Sequence, residues 1–306
     1  MSGEAWDAVV VGGGPAGLSA ALWLARYRRR TLVLDDARPR NEAAWAVHGY
    51  PGLPDPTPVQ LRQRIAEQAT TAGAVLERCR VDRVSGSKGE FVVEVGPADR
   101  LAAHRVVLAY GRRDRVPSLP GLNDFYGTTV FHCPDCDGPG MAGCELAVLG
   151  HDRAAAGLAL YLLTWAEGTT LVTNGLEPEL DADAVRTLEA EGVAIRSEPV
   201  EALEGGAGQL ARVTFDGAPP LEVQGLFFHW GTAPSSTLAQ RAGCACDEIG
   251  DIQVDRRTME TSVPGIHAAG DIVGHPHLAI TAAAQGVRAA LAAHRSLLPA
   301  SWQLEG

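Results

Sequence analysis

The 306-residue chain is long enough for about two domains, each able to bury a core of its own. Its 46% hydrophobic and 21% charged residues are those of a globular protein and exclude a disordered chain. Acids outnumber bases 37 to 26, and the net charge of −11 repels phosphate backbones, so no nucleic-acid partner is expected. Residues 1–7 carry no basic segment, and the apolar stretch after them runs straight into glycines, which argues against a secretory signal. No apolar run reaches the roughly 18 residues of a membrane span, so a cytoplasmic protein with no membrane partner is expected.

Residues 8–11, Ala-Val-Val-Val, predict a short strand buried on both faces. Gly12, Gly14 and Gly17 follow as G-x-G-x-x-G, with Pro15 and Ala16 between the last two, and residues 18–25 read as a helix. Strand, glycine turn and helix in that order are the fingerprint of a dinucleotide site. Gly12 makes the tight turn, Gly14 leaves room for a pyrophosphate, and Gly17 lets the helix pack on the sheet, while the helix N-terminus faces the phosphates. A second strand over 31–34 ends at Asp35, 21 residues after Gly14, where an acid would hold a ribose hydroxyl. The adjacent Asp36 competes for that role, and a glycine-rich turn without ligand is the alternative reading.

Residues 51–58 form a proline-dense loop. A helix is expected over 59–72, then short strands near 75–77, 80–84 and 91–95, and a buried strand over 105–109 ending at Tyr110 and Gly111. Residues 112–120, charged and bounded by proline, read as a linker. A second strand–turn–helix unit begins at 145–150, continues as a helix over 154–165 and returns as a strand over 169–173. The glycines at 205–208 mark a hairpin or loop. Near the end, residues 261–271 give a turn, a short apolar strand and the pair Gly270-Asp271, before a helix over 279–290. The fold class is therefore α/β, with two Rossmann-like, three-layer domains and the second inserted in the first. The expected boundaries are 1–113 with 232–306 for the first and 114–231 for the insert.

Cys133 and Cys136 are the most informative pair. Six cysteines in a chain of this length do not make a disulfide scaffold, and Cys-x-x-Cys brings two sulfurs close enough for a small redox disulfide. At a helix start the thiol pKa falls and the reactive thiolate is favoured. Half of a zinc site has the same spacing, but the partner would have to be Cys244 and Cys246, one residue apart, and no zinc-ribbon pattern surrounds them, so no metal is expected. Inert thiols are the third reading. Cys79, Cys144, Cys244 and Cys246 read as structural.

An N-terminal glycine fingerprint combined with a C-terminal Pro-Gly-Ile-x-Ala-Ala-Gly-Asp segment (264–271) resembles the two-dinucleotide-domain flavoprotein disulfide reductases. Cys-x-x-Cys-Asp-Gly inside the insert narrows the likeness to the low-molecular-weight thioredoxin reductases, over nearly the whole chain from Val9 to Ala290. The resemblance implies FAD as cofactor. Gly12, Gly14, Pro15, Ala16, Asp35 and Asp36 would line it, with Arg40, Asn41, Val81 and Gly111 from the following segments. Gly270, Asp271, His277, Leu278 and Ala279 would serve from the C-terminal part, Asp271 toward the ribityl–pyrophosphate region. It implies further that Cys136 is the flavin-proximal sulfur, Cys133 the exchange sulfur and Asp137 the acid/base, with His132 as a second candidate for proton transfer. A homodimer is implied as well.

The second domain departs from that family. Where the family has G-x-G-x-x-A for NADPH, this chain reads Gly150-His151-Asp152-Arg153-Ala154-Ala155, with a carboxylate at the approach of the pyrophosphate. Where the family has a His-Arg-Arg cluster for the 2′-phosphate, it has Thr173-Asn174-Gly175. Near the flavin, His277-Leu278 replaces Arg-Gln, and Tyr110 stands where threonine is common. A kept cysteine pair beside a degraded nicotinamide site resembles the dithiol oxidases of the gliotoxin and holomycin type. Residues 38–41, 48–50, 132–134 and 171–175 carry the same likeness. This resemblance implies a small dithiol substrate with O2 as acceptor, yielding hydrogen peroxide. His48, Tyr50 and the loop 50–58 could line its pocket, although a structural role for the loop comes first. Two other readings stand beside it: a disulfide reductase fed by NADPH or another donor, and a non-enzymatic redox sensor.

Overall fold

The apolar runs become central strands because their side chains are buried on both faces. In Trp6–Val11, Ala8 and Val10 enter one core cluster while Val9 and Val11 enter the other. Leu32, Val33 and Leu34 alternate in the same way beside it, as do Val106, Val107 and Leu108 on its other side. Each valine or leucine among them contributes roughly 1.5–3 kcal/mol by leaving water, which holds these strands at the centre of the sheet. The computed structural model describes residues 4–302.

The described residues fall into two units. One holds the chain up to Glu42, Gly49–Arg113 and the chain from Ala233; the other holds Ala43–His48 and Asp114–Thr232. In the first, the strand order is Val75–Arg78, Thr31–Asp35, Trp6–Val11, Asp99–Leu108, Glu90–Val95 and Arg83–Ser87. The ten-residue strand Asp99–Leu108 divides one edge between two neighbours. Its first half pairs antiparallel with Glu90–Val95, and its last residues pair parallel with Ile266–Ala268. Helices Pro15–Arg26 and Ala279–Ser296 cover one face, where Gly286 lies so close to the Ala16 carbonyl that a Cβ would collide with it.

The second unit has a five-stranded parallel sheet in the order Ala194–Arg196, Gly168–Val172, Glu145–Leu149, Gly225–Phe228 and Val130–Phe131. A separate three-stranded antiparallel sheet, Val200–Gly206, Gln209–Phe215 and Ala218–Glu222, contains the hairpin expected at the glycine cluster. No helix among the described residues is long and apolar enough to cross a membrane.

Two expected elements differ. The strand expected over 80–84 begins at Arg83, because Val81 is drawn into the core and the Asp82 carboxylate instead accepts from the Gly96 amide at 2.7 Å. The expected linker 112–120 starts as a strand, Arg112–Asp114. Arg112 is buried, pairs with Asp251 and donates to the Ile249 carbonyl at 3.1 Å, so its charge signals a buried ion pair and not a solvated tether.

Candidate active site

The parallel strand Val130–Phe131 delivers the redox pair. Beyond it the chain turns at His132, and Cys133 caps the short helix Pro134–Asp137. Pro134 suits the first helical position because its ring presets φ and the N–H it lacks would be unpaired there. Cys133 and Cys136 are joined as a disulfide, and Cys133 Sγ accepts from the Cys136 amide at 3.2 Å. Between them the exposed Asp135 accepts from the Tyr161 hydroxyl at 2.7 Å.

The two candidate proton carriers sit in different settings. Burial pushes the Asp137 carboxyl up to about 6, against the opposing pull of His48. His132 is held from both sides of its ring: Nε2 lies 3.4 Å from Asp114 Oδ2, and Nδ1 lies 3.3 Å from the Tyr126 hydroxyl. Asp137 is thus poised to exchange a proton near neutral pH, whereas His132 is tied into a polar trio beside Phe228.

In the first unit, Gly12 adopts φ 111° with its Cα so close to the Ala109 carbonyl that no side chain fits. A Cβ on Gly17 would collide with the Gly12 carbonyl and crowd Val10 of strand Trp6–Val11, so its bareness serves both the turn and the expected packing of the helix on the sheet. Gly14 faces open space and caps helix Pro15–Arg26 with no side chain, and Leu278 caps Ala279–Ser296 in the same bare manner. Both helix starts therefore present backbone N–H groups without a side-chain acceptor, as an anionic cofactor requires. Asp35 Oδ1 accepts from the Gly13 amide at 2.9 Å and Oδ2 from Arg62 at 2.6 Å, and a carboxylate retains lone pairs for a ribose hydroxyl. Arg40 and Asp271 pair at 2.8 Å. His277 Nε2 is buried without a hydrogen-bond partner among the described residues, and burial lowers that imidazole to about 4, so the ring is neutral. These features fit FAD. Of the remaining expected residues, Val81 places its side chain in the core, the Gly111 carbonyl accepts from the Ser235 amide, and Asp36 and Asn41 are half-buried.

The matching turn of the second unit is closed by its own chain. Asp152 caps helix Arg153–Leu162, its Oδ1 accepting from the Ala155 amide at 2.9 Å. The segment after Thr173 then crosses the turn. The Glu179 amide donates to the His151 carbonyl at 2.7 Å, Asp152 and Glu179 form a parallel bridge, and Arg153 pairs with Asp181. Asn174 turns inward to accept from the Val200 amide at 2.8 Å. A carboxylate already occupies the helix N-terminus, acids flank it, and Arg153 is engaged by Asp181. The arrangement does not fit a nucleotide pyrophosphate.

Arg62, Asp114 and the segment 43–47 were not legible as site residues, since no motif marks them; His48 was expected at the substrate pocket, and the structure folds it with the inserted unit. Cys79, Cys144, Cys244 and Cys246 are free, and burial pushes the Cys244 and Cys246 thiols up, away from reactivity. Cys144 packs with the apolar side chains around Phe131 and Trp165.

The chain matches the pyridine nucleotide-disulphide oxidoreductase family over residues 6–286. It is 30% identical to NADPH-dependent thioredoxin reductase 3 of Arabidopsis thaliana over 95% of its own length, but spans only 58% of that protein. It is 28% identical to the thioredoxin reductase sirT of Leptosphaeria maculans, covering 93% of this chain and 92% of that one. Among solved structures, HlmI superposes with a TM-score of 0.91 at 32% identity, covering 97% of this chain and 94% of the other.

Proposed function

Since the chain belongs to the pyridine nucleotide-disulphide oxidoreductase family as an FAD-dependent, thioredoxin-reductase-like thiol–disulfide oxidoreductase, we propose that it works in the oxidative direction. Its substrate is a small dithiol, which it closes to an intramolecular disulfide, with O2 as final acceptor and hydrogen peroxide as co-product. The observation that carries this reading is the self-capped turn at Asp152: a carboxylate stands where the hydride donor's pyrophosphate would have to sit. Electrons must then enter from the thiol side. The biosynthesis of a disulfide-bearing natural product is the setting that suits such a reaction.

A substrate thiolate attacks Cys133 Sγ and breaks the Cys133–Cys136 bond, and Cys136 leaves as a thiolate. The second substrate thiol attacks its partner sulfur in the mixed disulfide, releasing Cys133 and the cyclic product. Asp137 is the proton carrier for these steps, and His132, held by Asp114 and Tyr126, is the second candidate. FAD, when bound, supplies a two-electron sink that oxygen can empty. Gly14, Ala16 and the helix start at Leu278 and Ala279 would hold it through backbone N–H groups, with Gly12 making the turn and Pro15 opening the helix, and Asp35, Arg40, Asp271 and His277 through side chains. In this reading two copies of the chain form a homodimer.

The test is anaerobic. Flavin bleaching by a dithiol, followed by oxygen uptake on aeration, is expected; bleaching by NADPH within seconds would reject the oxidase in favour of a reductase.

A further inference from the structure

The glycine turn of the first unit, read above as the seat of the FAD pyrophosphate, is braced from outside its own motif. The brace begins at the end of the proline-dense loop. The Thr57 hydroxyl accepts from the Gln60 amide at 3.2 Å, and the Gln60 side chain accepts from the Thr57 amide at 3.0 Å, closing a capping box. Pro58 then opens helix Pro58–Thr71 at its first position. Leu61, Ile65 and Ala69 are buried, so both the start of this helix and the face it turns inward are fixed. Arg62, beside Leu61, reaches the glycine turn.

Its guanidinium spans two groups there. Nε donates to the Gly13 carbonyl at 3.2 Å, and a terminal nitrogen donates to Asp35 Oδ2 at 2.6 Å. Asp35 Oδ1 accepts from the Gly13 amide at 2.9 Å, which closes a ring of hydrogen bonds through Gly13, Asp35 and Arg62. Gly13 has to be bare in this ring, since a Cβ would come within 2.5 Å of Asp35 Oδ2.

The ring has two effects on the turn. The Gly13–Gly14 peptide is trans, so its C=O and N–H point opposite ways. Fixing the Gly13 carbonyl on Arg62 therefore turns the Gly14 N–H away from Arg62 and holds it there. A lone carboxylate beside a pyrophosphate would also repel it, and the Arg62 charge offsets that of Asp35. A carboxylate has about four acceptor positions, and Arg62 and the Gly13 amide leave some of them for a ribose hydroxyl.

We propose that Arg62 is a positioning residue for FAD: it aligns the Gly13–Gly14 peptide for the pyrophosphate and offsets the charge of Asp35, which keeps the ribose hydroxyl. Arginine suits both tasks because its planar fork delivers two N–H groups in fixed directions, as lysine cannot. The role rests on FAD at this turn and is independent of the direction in which electrons flow.

The test dilutes the full-length holoenzyme to nanomolar concentration and reads released FAD by its fluorescence at equilibrium, with circular dichroism and the bound-flavin spectrum recorded beside it. Arg62→Gln should weaken FAD binding about ten- to a hundredfold with both spectra unchanged. Arg62→Lys, which keeps the charge and loses the fork, should fall between it and wild type. In an Asp35→Asn background, where no charge needs offsetting, Arg62→Gln should cost only a few-fold. A merely structural arginine would disturb both spectra and cost as much with Asp35→Asn as without it. An Arg62→Gln affinity within about twofold of wild type overturns the proposal, and so does a full loss retained in the Asp35→Asn background. If Arg62→Gln does not fold, Arg62→Lys decides: a several-fold loss supports the fork, and no loss overturns it. Gly14→Asp tests the seat itself. FAD kept by Gly14→Asp removes the pyrophosphate from the turn and Arg62 with it, whereas FAD lost by Gly14→Asp but kept by Arg62→Gln removes Arg62 alone.

Discussion

Replacing Asp152 by asparagine isolates the charge at the closed nucleotide turn. Asparagine is as good an N-cap as aspartate, so the bond to the Ala155 amide and the start of helix Arg153–Leu162 should survive. What changes is the repulsion felt by an incoming pyrophosphate. Two like charges at about 4 Å repel by about 1 kcal/mol in water and about 4 kcal/mol at an effective dielectric of ~20. Asp152 is half-buried, which puts the effect between these limits, at roughly 2 kcal/mol or about 30-fold in affinity. Calorimetric titration with NADP+ reads this directly, because the oxidised form cannot reduce the flavin. Wild type should not saturate near 1 mM, on the order of −4 kcal/mol, and Asp152→Asn should bind measurably tighter with an unchanged melting temperature. Asp152→Gly should gain more, at a cost of a few tenths of a kcal/mol in helix capping. Micromolar binding by wild type, or an asparagine variant no better than wild type, would refute the electrostatic reasoning.

Other outcomes follow from the same geometry. With Cys136 as the proposed flavin-proximal sulfur, Cys133→Ser is expected to leave it as a lone thiolate and give a long-wavelength charge-transfer absorbance; its absence would count against that role. The Cβ of Gly14→Asp meets no protein atom, so circular dichroism should be unchanged while FAD content after purification falls steeply, on the order of a hundredfold or more in affinity. Retained FAD would move the pyrophosphate away from that turn. Asp137 should ionise near 6, with dithiol-driven flavin reduction rising as pH increases through that value. Asp137→Asn should flatten that limb, and a limb that persists would transfer the proton to another group, with His132 next in line.

Local pattern made much of the molecule readable. The Ala-Val-Val-Val run, the glycine turn and the helix after it announce themselves because each obeys a short-range rule, and the structure builds them with Gly12 at positive φ and Gly14 open. The cysteine pair is equally local, since three residues of spacing suffice for a disulfide at a helix start. The misread segments are those where one residue type has two uses. Arg112 looks like a solvated linker charge until Asp251, far along the chain, proves to be its buried partner.

The sequence alone determined the α/β class, the cofactor turn, the redox pair and the presence of a carboxylate at the second turn, because adjacent residues carry all of these. Only the tertiary structure decided what that carboxylate does, with Glu179 and Asp181 brought across from the next loop to close the turn around it. It also decided that Arg62 shares Asp35 with the Gly13 amide, and that residues 43–48 leave their neighbours in sequence to fold with the inserted unit. The reason is physical: a proton carrier's behaviour depends on the charges and burial around it. The Asp137 carboxyl feels the pull of His48 across 89 residues of chain, a separation no periodicity or spacing rule can bridge.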